Sequence, residues 1–466
     1  MPERRNPMTT LNRIYAYFER LLARHGTNGN SCDWVELDRA PDLDLLQQAA
    51  SAISRKHAAI QAASTFGGLK GWTWTRNPDA EPEIRYRRVA GRCPPDVTDK
   101  LVPQNVWGEA LDHENGPPWR IHVTEFDDVT ILQSVTSHIY TCGKSASLIT
   151  VQLLRFYDAI VRGERPDDRP IEVESRANAP LFLPDWTAWD HVRSFLATGA
   201  DMFREIFTAP MRLAGNKTGT ADRGQTRVRF VDLGPDLWQH LRRFARDEEI
   251  SRHPFYIAAW VETLTNFNAA RGNEYPFDPN SKVKFVDNFS LRPYADQNLD
   301  GFYDLCAVPY AIEVPAGPSS PEKRRSISAM VERLRSGKVL DDLTRFAFYH
   351  RAIALIPKVF ATKLVLKSVV KSPFILSNIG PLPEGMLDPG ALGVRRYYSF
   401  PQLFPPGKIM LIITSTPDTV RAVFLWDEDA ISEADMMNEM IPGFRAALAR
   451  SIGFDDQRHA LKTAAE

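Results

Sequence analysis

Apolar residues recur along this chain with two different periods, and each period indicates a type of element. Between residues 120 and 140 they alternate with polar residues, and Val129, Ile131 and Val135 fall on one face. This alternation predicts a hairpin with arms over 120–126 and 129–140. Helical spacing and one short alternating run predict the other elements of the first half: helices over 11–22, 43–63 and 144–163, and a strand over 34–37.

The second half repeats this mixture of strands and helices. Its predicted strands cover 226–233, 282–293, 372–383, 408–415 and 420–426, and the last two form a hairpin. Its predicted helices cover 235–244, 254–267, 322–334, 353–370 and 432–451. Between the halves, the stretch 162–190 is rich in Pro, Asp, Glu and Arg and is predicted to be a linker. We therefore expect two domains, 1–180 and 181–466, each of mixed α/β structure.

Composition narrows the class of protein. A chain of 466 residues is too long for one typical core, and 43% hydrophobic with 25% charged residues is ordinary for a globular protein. The formal net charge of -1 gives no support for a nucleic-acid binder or a polybasic membrane anchor. No apolar run approaches the roughly 18 residues that span a bilayer.

The N-terminal residues and the cysteines both bear on the cellular compartment. The first residues are charged and lead into an amphipathic helix instead of a signal-peptide core. The four cysteines (Cys32, Cys93, Cys142 and Cys306) are far apart and show no CxxC pair or zinc spacing. We therefore expect a cytoplasmic protein with free thiols and no metal site.

The candidate chemistry lies at the end of the predicted hairpin. Ser137 and His138 close its second arm, and the turn through Gly143 leads into a helix in which Ser145 is a candidate cap. A histidine at the junction of a strand and a helix sits on rigid elements, as a general base requires. On residue type alone, a structural histidine is the commoner outcome.

Five short motifs follow one another in an order that resembles a known superfamily. They are Ser54-Arg55-Lys56-His57, similar to "rHp"; Pro117-Pro118-Trp119-Arg120; Ser137 to Gly143, similar to HHxxxDG; Phe289-Ser290-Leu291-Arg292-Pro293, similar to "NLRP"; and Ser377-Asn378-Ile379-Gly380, similar to "SNlG". The chain thus resembles the chloramphenicol-acetyltransferase-like (CAT-like) superfamily. This superfamily includes nonribosomal-peptide condensation domains and the BAHD, polyketide-associated and alcohol acyltransferases.

The resemblance implies a fold and an activity. Two similar CAT-like lobes, each an open mixed sheet flanked by helices, would form a V with an active-site tunnel between them. His138 would be the base that activates an alcohol or amine acceptor, which attacks a pantetheine thioester. The donor would be an acyl-CoA or an acylated carrier protein as co-substrate, with no tightly bound cofactor. The resemblance places this reaction in specialised metabolism. Two lobes in one chain need no partner subunit to complete the tunnel.

The resemblance also assigns supporting roles. Ser377 and Asn378 are candidate donors to the oxyanion or the pantetheine amide, although ordinary turn chemistry explains them equally well. His57 is expected to be structural. A basic run at Lys323-Arg324-Arg325 is either a docking patch for an acidic carrier protein or a solvated helix face.

The motif SHIYTCG departs from the pattern at two positions. Ser137 stands where a first histidine is frequent, and Cys142 stands where the superfamily has an aspartate. That aspartate usually pairs with the arginine that Arg292 matches, and breaking a buried ion pair costs about 3–5 kcal/mol. Arg292 is therefore expected to have another acceptor, such as Asp287 or a backbone carbonyl.

Three interpretations of Cys142 remain open from the sequence. The thiol is neutral and structural, or it is a thiolate that replaces the carboxylate beside Arg292, or it is a catalytic partner of His138. The same departure supports a rival function for the whole chain. In that hypothesis the fold is catalytically degenerate or repurposed, and serves as a binding or docking module or as a cyclase.

Overall fold

The structure is a computed structural model. It describes residues 6–7, 19, 28–66, 72–171, 187–190, 192–193, 196–197, 200, 213–214, 225–271, 282–294, 301, 303–338, 372–382, 390–403 and 407–454. The strands are β1 Asn6–Pro7, β2 Asn30–Leu37, β3 Ala62–Phe66, β4 Trp72–Arg76, β5 Glu83–Arg88, β6 Trp119–Glu125, β7 Thr130–Ser137, β8 Thr226–Asp232, β9 Lys282–Ser290, β10 Ala307–Pro315, β11 Phe374–Pro381, β12 Val394–Pro401, β13 Ile409–Ser415 and β14 Val420–Asp427. The α-helices are α1 Leu43–Lys56, α2 Val97–Val102, α3 Gly143–Val161, α4 Pro235–Asp247, α5 His253–Ala269, α6 Pro321–Arg333, α7 Glu433–Asp435 and α8 Ile441–Ser451.

The first large sheet carries helices on one face. Its order is β12-β2-β7-β6-β5, with β5 and β6 parallel and the other neighbours antiparallel. The helices α1 and α3 pack on it through an apolar cluster that includes Ile53, Ile149 and Leu153. Asp42 caps α1 by accepting from the backbone N–H groups of the first turn, so this helix begins at Leu43.

The second large sheet has the order β10-β9-β11-β13-β14-β8. Strand β11 runs parallel to both of its neighbours, whereas the other pairs are antiparallel. Helix α5 is almost completely buried, which explains why its sequence is largely apolar. A smaller three-stranded sheet, β1-β4-β3, completes the described strands.

The two large sheets meet through their other faces. A third apolar cluster joins Trp34 and Val135 of the first sheet to Met410 and Val423 of the second. At its edge the rings of Phe230 and Tyr398 stack, with centroids 4.2 Å apart and planes 9° apart. The two open mixed sheets, each flanked by helices, therefore share one buried interface and form two lobes.

Both predicted hairpins are confirmed. Strands β6 and β7 pair antiparallel across the turn at Asp127 and Asp128, and β13 and β14 pair in the same way across Pro417 and Asp418. Among the described residues, no helix is long and apolar enough to cross a membrane.

The largest boundary difference among the described residues is at the end of the first described helix, and the predicted boundary is wrong. The helix expected over 43–63 ends at Lys56, because the chain turns extended at His57, makes one 3₁₀ turn at Ala58–Gln61 and continues as β3. The predicted helix over 353–370, all of the predicted helix over 11–22 except Glu19, and residues 172–186 of the linker lie outside the described residues. The domain boundary at residue 180 does so as well and stays a prediction.

Candidate active site

The turn from Ser137 to Gly143 is fixed by backbone hydrogen bonds at the end of β7. Ser137 N–H donates to the Pro118 carbonyl over 3.0 Å, and the Ser137 hydroxyl accepts from Ile139 N–H over 3.2 Å. His138 N–H donates to the Gly29 carbonyl over 3.3 Å. Helix α3 begins directly after this turn. The structure thus places His138 between a strand and a helix, as the sequence predicts.

The imidazole of His138 is held in its neutral form. The residue keeps part of its surface open to solvent, while its Nδ1 atom is buried. Desolvation lowers the pKa of His138 to about 4, and hydrogen bonding with the carbonyls of His138 itself and Thr141 acts in the opposite direction. At neutral pH the side chain is therefore uncharged and able to accept a proton.

Gly143 allows the His138 turn to approach the second sheet. A Cβ atom built at this position would lie 3.0 Å from the Cδ1 and Cγ1 atoms of Ile379. Ile379 belongs to β11, within the segment that resembles "SNlG". The motif glycine therefore marks the place where the first lobe touches the end of a strand from the second lobe.

The guanidinium of Arg292 bonds to a neutral side chain in the first turn of α3. Its Nη2 donates to the Ser145 hydroxyl over 2.7 Å, and that hydroxyl in turn donates to the Asp304 backbone carbonyl. The Cys142 thiol lies 3.4 Å from the Ser145 hydroxyl and 3.8 Å from the same carbonyl. The predicted capping role of Ser145 is wrong, because the helix cap is Cys142, whose side chain makes no capping bond.

These contacts bear on the three interpretations of Cys142. Its side chain is buried in the apolar cluster of the second lobe, and a carbonyl oxygen is an acceptor for a neutral S–H group. Asp287, the carboxylate suggested as a substitute partner for Arg292, bonds to His253 instead. The buried position of Cys142 in this cluster favours a structural role for its side chain.

A second histidine site is present that the sequence did not reveal. His253, the first residue of α5, lies 2.6 Å through Nε2 from the carboxylate of Asp287, which is completely buried. Its Nδ1 atom lies 3.3 Å from the side-chain nitrogen of Asn378. Asn378 Oδ1 accepts from Gly380 N–H over 3.0 Å, and this bond turns the amide NH₂ toward the imidazole.

This chain of hydrogen bonds specifies the tautomer of His253. The buried carboxylate of Asp287 accepts, so Nε2 carries the proton; the amide of Asn378 donates, so Nδ1 presents its lone pair. The sequence signal for His253 was weak, because an isolated histidine ahead of an apolar helix resembles a helix terminus. Its partner Asp287 is 34 residues away on β9.

His253 and Asn378 line a cavity of about 1100 Å³. Six cationic side chains also line it, and no Asp or Glu is among the described lining residues: Lys144, Arg242, Arg246, Arg252, Arg292 and Arg335. Five of the six form no ion pair within the part of the chain that the structure describes: Lys144, Arg242, Arg246, Arg252 and Arg335. A concave site with this charge favours an anionic ligand.

The predicted residues differ in their position relative to this cavity, and His138 is not among its described lining residues. Asn378 lines it, whereas Ser377 is not among its described lining residues and pairs with Ile412 in the β11–β13 ladder. Asn378 also bonds within the bulge at Gly380, so it takes part both in the turn and in the cavity wall. His57 is buried, and its Nε2 lies 2.7 Å from the Gln152 side-chain oxygen, which links α1 to α3.

Known proteins resemble this chain in fold. The sequence matches no family model and no curated protein. Among solved structures, the epimerization domain from the third module of tyrocidine synthetase B has a TM-score of 0.65 at 13% identity, covering 97% of this chain and 98% of that one. The first condensation domain of the CDA synthetase has a TM-score of 0.66 at 15% identity, with 96% of each chain covered.

A third structure extends the comparison. The cyclization-docking bidomain from Sorangium cellulosum has a TM-score of 0.68 at 13% identity, covering 97% of this chain and 86% of that one. The similarity therefore spans both lobes and confirms the predicted resemblance at the level of the fold. The chain has the two-lobed condensation-domain fold.

Proposed function

We propose that this chain, which has the condensation-domain fold, is an acyltransferase that moves an acyl group from a pantetheine thioester to an alcohol or amine. The observation that carries the proposal is the neutral imidazole of His138, held on a rigid turn where the two lobes touch through Gly143 and Ile379. The product would belong to specialised metabolism, and the tunnel of the superfamily would run between the lobes.

In this mechanism His138 is the general base. It takes the proton of the acceptor as the acceptor oxygen or nitrogen bonds to the thioester carbonyl carbon. When the C–S bond breaks, the same imidazolium returns the proton to the leaving thiolate. Arg292 stabilises the turn through Ser145, and Asn378 is the better candidate of the predicted pair for positioning a substrate, because it lines the cavity.

The donor is proposed from the charge of the cavity. Pantetheine thioesters are phosphorylated, either through the nucleotide of free CoA or through the phosphodiester of a carrier protein. Cationic side chains such as Arg246 and Arg335, which no carboxylate neutralises among the described residues, are suited to bind such groups. An acyl-CoA or an acylated carrier protein is then a co-substrate, and the chain holds no tightly bound cofactor.

Thiol release from a panel of acyl-CoAs and acyl-carrier proteins tests the proposal. We expect release from one donor class, and a loss of about 10²–10⁴-fold in His138→Ala. His57→Gln is a control histidine variant, since His57 bonds to Gln152 away from the cavity. Full activity of His138→Ala would refute the assigned base, and silence toward both donor classes by folded protein would refute the transferase.

The replacement of the motif aspartate by Cys142 favours a second candidate function, that of a degenerate or repurposed fold. Such a fold would bind or dock a thioester without turning it over, or act as a cyclase. The variant Cys142→Asp discriminates between the transferase and this second candidate. A higher rate of thiol release would indicate a transferase that has partly decayed. A lower rate would show that the thiol contributes to the active arrangement with Ser145 and Arg292.

A further inference from the structure

The cavity that His253 and Asn378 line lies where three parallel strands end. Strand β11 runs parallel to β9 and β13, and the last residue of each of the three strands lines the cavity. Ligands of open α/β sheets bind outside the carboxyl ends of such strands. Helix α5 also begins at this cavity, and its first turn holds no acidic residue and no side-chain capping bond. The helix dipole therefore adds to the attraction for an anion.

Two arginines of the cavity are held in place without a carboxylate. The Arg252 Cζ atom lies 4.7 Å from the ring centroid of Trp238, and the Arg242 Cζ atom lies 5.7 Å from it. Arg242 Nη1 also donates to the Pro417 carbonyl over 3.1 Å, and Trp238 Nε1 donates to the same carbonyl over 3.0 Å. A ring and a carbonyl orient a guanidinium but leave its positive charge to be balanced by a ligand.

The hydrogen bonds of His253 depend on whether its ring is protonated. In the neutral ring Nε2–H donates to Asp287, and Nδ1 accepts from the Asn378 amide at 3.3 Å. A proton on Nδ1 has no acceptor in Asn378, because the amide turns its NH₂ group to the imidazole and its oxygen to Gly380 N–H. The charged ring thus needs an acceptor from the cavity that both residues line.

We propose that this cavity binds the dianion of a phosphate monoester, and that His253 takes up one proton from solution when the anion binds. A phosphate oxygen accepts from Nδ1–H, and the buried Asp287 carboxylate stabilises the imidazolium through Nε2–H. The inference rests on the proposed function for the identity of the donor, within which it selects a phosphate monoester over a phosphodiester. The binding site itself is tested without any acyl transfer.

The charge of the cavity selects the dianion. A phosphate monoester carries two negative charges above its second pKa of about 6, whereas a phosphodiester carries one. Six cationic side chains and no described Asp or Glu line the cavity, so the second negative charge of the monoester is attracted. The monoester also has a third terminal oxygen. One oxygen can therefore accept from His253 while the others accept from guanidinium groups.

The groups that carry charge or titrate around His253 come from several elements. Asp287 faces it from β9, and the others line the cavity: Arg242 and Arg246 of α4, Arg252, Tyr256 of α5, Arg292, Tyr294, Arg335 and Lys144 of α3. A bound dianion adds negative charge beside the ring and favours the imidazolium over the neutral form. Anion binding and proton uptake are therefore linked.

Calorimetry with phenyl phosphate and phenyl sulfate tests the inference. The two probes share a shape and differ by one negative charge at pH 8. We expect phenyl phosphate to bind wild-type protein about tenfold more tightly. Titrations in two buffers of different ionisation enthalpy count the protons. We expect uptake of up to about one proton per phenyl phosphate, which is itself fully ionised at this pH.

His253→Gln separates this residue from the other cavity groups. The amide of the variant can still donate to Asp287 but takes up no proton. Between pH 7 and 9 the Kd of wild type should rise by up to about tenfold per pH unit, whereas the Kd of the variant should change by less than about twofold. Asp287→Asn should lower the proton uptake, because it removes the charge that stabilises the imidazolium.

His240→Gln is the matched control and should keep the wild-type proton uptake, because His240 bonds to the Ile452 carbonyl outside the cavity. Thermal unfolding reports the fold of each variant. Where His253→Gln does not fold, the proton count of the wild type still decides. Adenosine 3′,5′-bisphosphate distinguishes the source of the monoester. Binding tighter than that of phenyl phosphate supports a nucleotide, and equal binding supports a small phosphorylated molecule.

Each contrary result is distinct. Equal affinity for phenyl phosphate and phenyl sulfate, binding without proton uptake, or equal proton uptake in wild type and His253→Gln would overturn the inference. Protein that releases thiol from a donor but binds neither probe would overturn the inference and leave the proposed transferase intact. Protein that binds phenyl phosphate as expected and releases no thiol would overturn the proposed function and leave the binding site intact.

Discussion

The Arg292 guanidinium donates to the hydroxyl of Ser145 over 2.7 Å, and both residues are buried. The sequence resemblance places an arginine–carboxylate pair at this position. The Ser145 hydroxyl accepts from this arginine and donates to the Asp304 carbonyl, so a neutral side chain takes one hydrogen bond of the guanidinium. Ser145 thus ties Arg292 to the first turn of α3, beside Cys142 at the position of the motif aspartate.

Ser145→Ala should destabilise the fold by about 1.5–3 kcal/mol, because it removes a buried hydrogen bond to a charged group. Urea unfolding measures this change in the free energy of unfolding. Ser336→Ala is the matched control, since Ser336 is exposed and bonds to the Arg333 carbonyl. Equal effects of the two substitutions would show that Ser145 does not support Arg292.

The contact between Gly143 and Ile379 predicts an energetic coupling. Gly143→Ala should be less favourable in the wild type than in an Ile379→Ala background by about 1 kcal/mol, because the added methyl group meets Ile379 at 3.0 Å. A double-mutant cycle of unfolding free energies measures this coupling. Additive effects would contradict the close approach of the two lobes at this point.

The cationic wall of the cavity predicts binding of adenosine 3′,5′-bisphosphate, a probe for the nucleotide of CoA. Arg246→Ala should raise its Kd about tenfold, which corresponds to ~1.4 kcal/mol. Arg243→Ala is the control on the same helix, because Arg243 is exposed and does not line the cavity. Calorimetry at two salt concentrations should show weaker binding at the higher one. Equal effects of both variants would contradict a specific phosphate site.

Stability below pH 6.5 should depend on His122 of β6. Burial, aided by Arg120 and Arg85, lowers the pKa of His122 to about 4. Since the unfolded state binds this proton more tightly, protonation of His122 lowers the free energy of unfolding. This loss is absent above pH 6.5 and is complete once the pH has fallen through 4. The full difference amounts to about 3 kcal/mol at 1.36 kcal/mol per pKa unit.

His122→Gln removes this titration and should flatten the fall in unfolding free energy between pH 6.5 and 4, by up to about 1.4 kcal/mol per pH unit. The comparison with wild type is necessary because Asp33, whose pKa burial raises to about 6, contributes with the opposite sign. Parallel curves for the two proteins would contradict the neutral, buried state of His122.

The parts of the candidate site that depend on residues adjacent in sequence could be predicted from local patterns. The hairpin that carries His138 follows from alternation and a short turn, and both are properties of adjacent positions. The bond between His253 and Asp287 joins residues 34 positions apart, and the Ser145–Arg292 contact joins residues 147 apart. Such pairings arise from the packing of the lobes, and no local period encodes them.

The boundary error at His57 has a similar cause. Residues 57–63 continue the apolar composition of α1, yet tertiary contacts fix them as a 3₁₀ turn and a strand that pairs with β4. The strand order of the second sheet could not be predicted from the sequence alone either. Parallel neighbours such as β11 and β13 are joined through long connections, so no local pattern shows that they pair.

Strand β12 has a consequence for how the protein is made. This segment, Val394–Pro401, forms the edge of the first sheet beside Asn30–Leu37. During translation, more than 350 further residues are synthesised after Leu37 before strand β12 begins. Until then, the backbone hydrogen-bonding groups on that side of Asn30–Leu37 have no β12 partner. An exposed strand edge recruits other chains. The N-terminal segment released alone should therefore aggregate, and supplying the remainder as a separate polypeptide should rescue it.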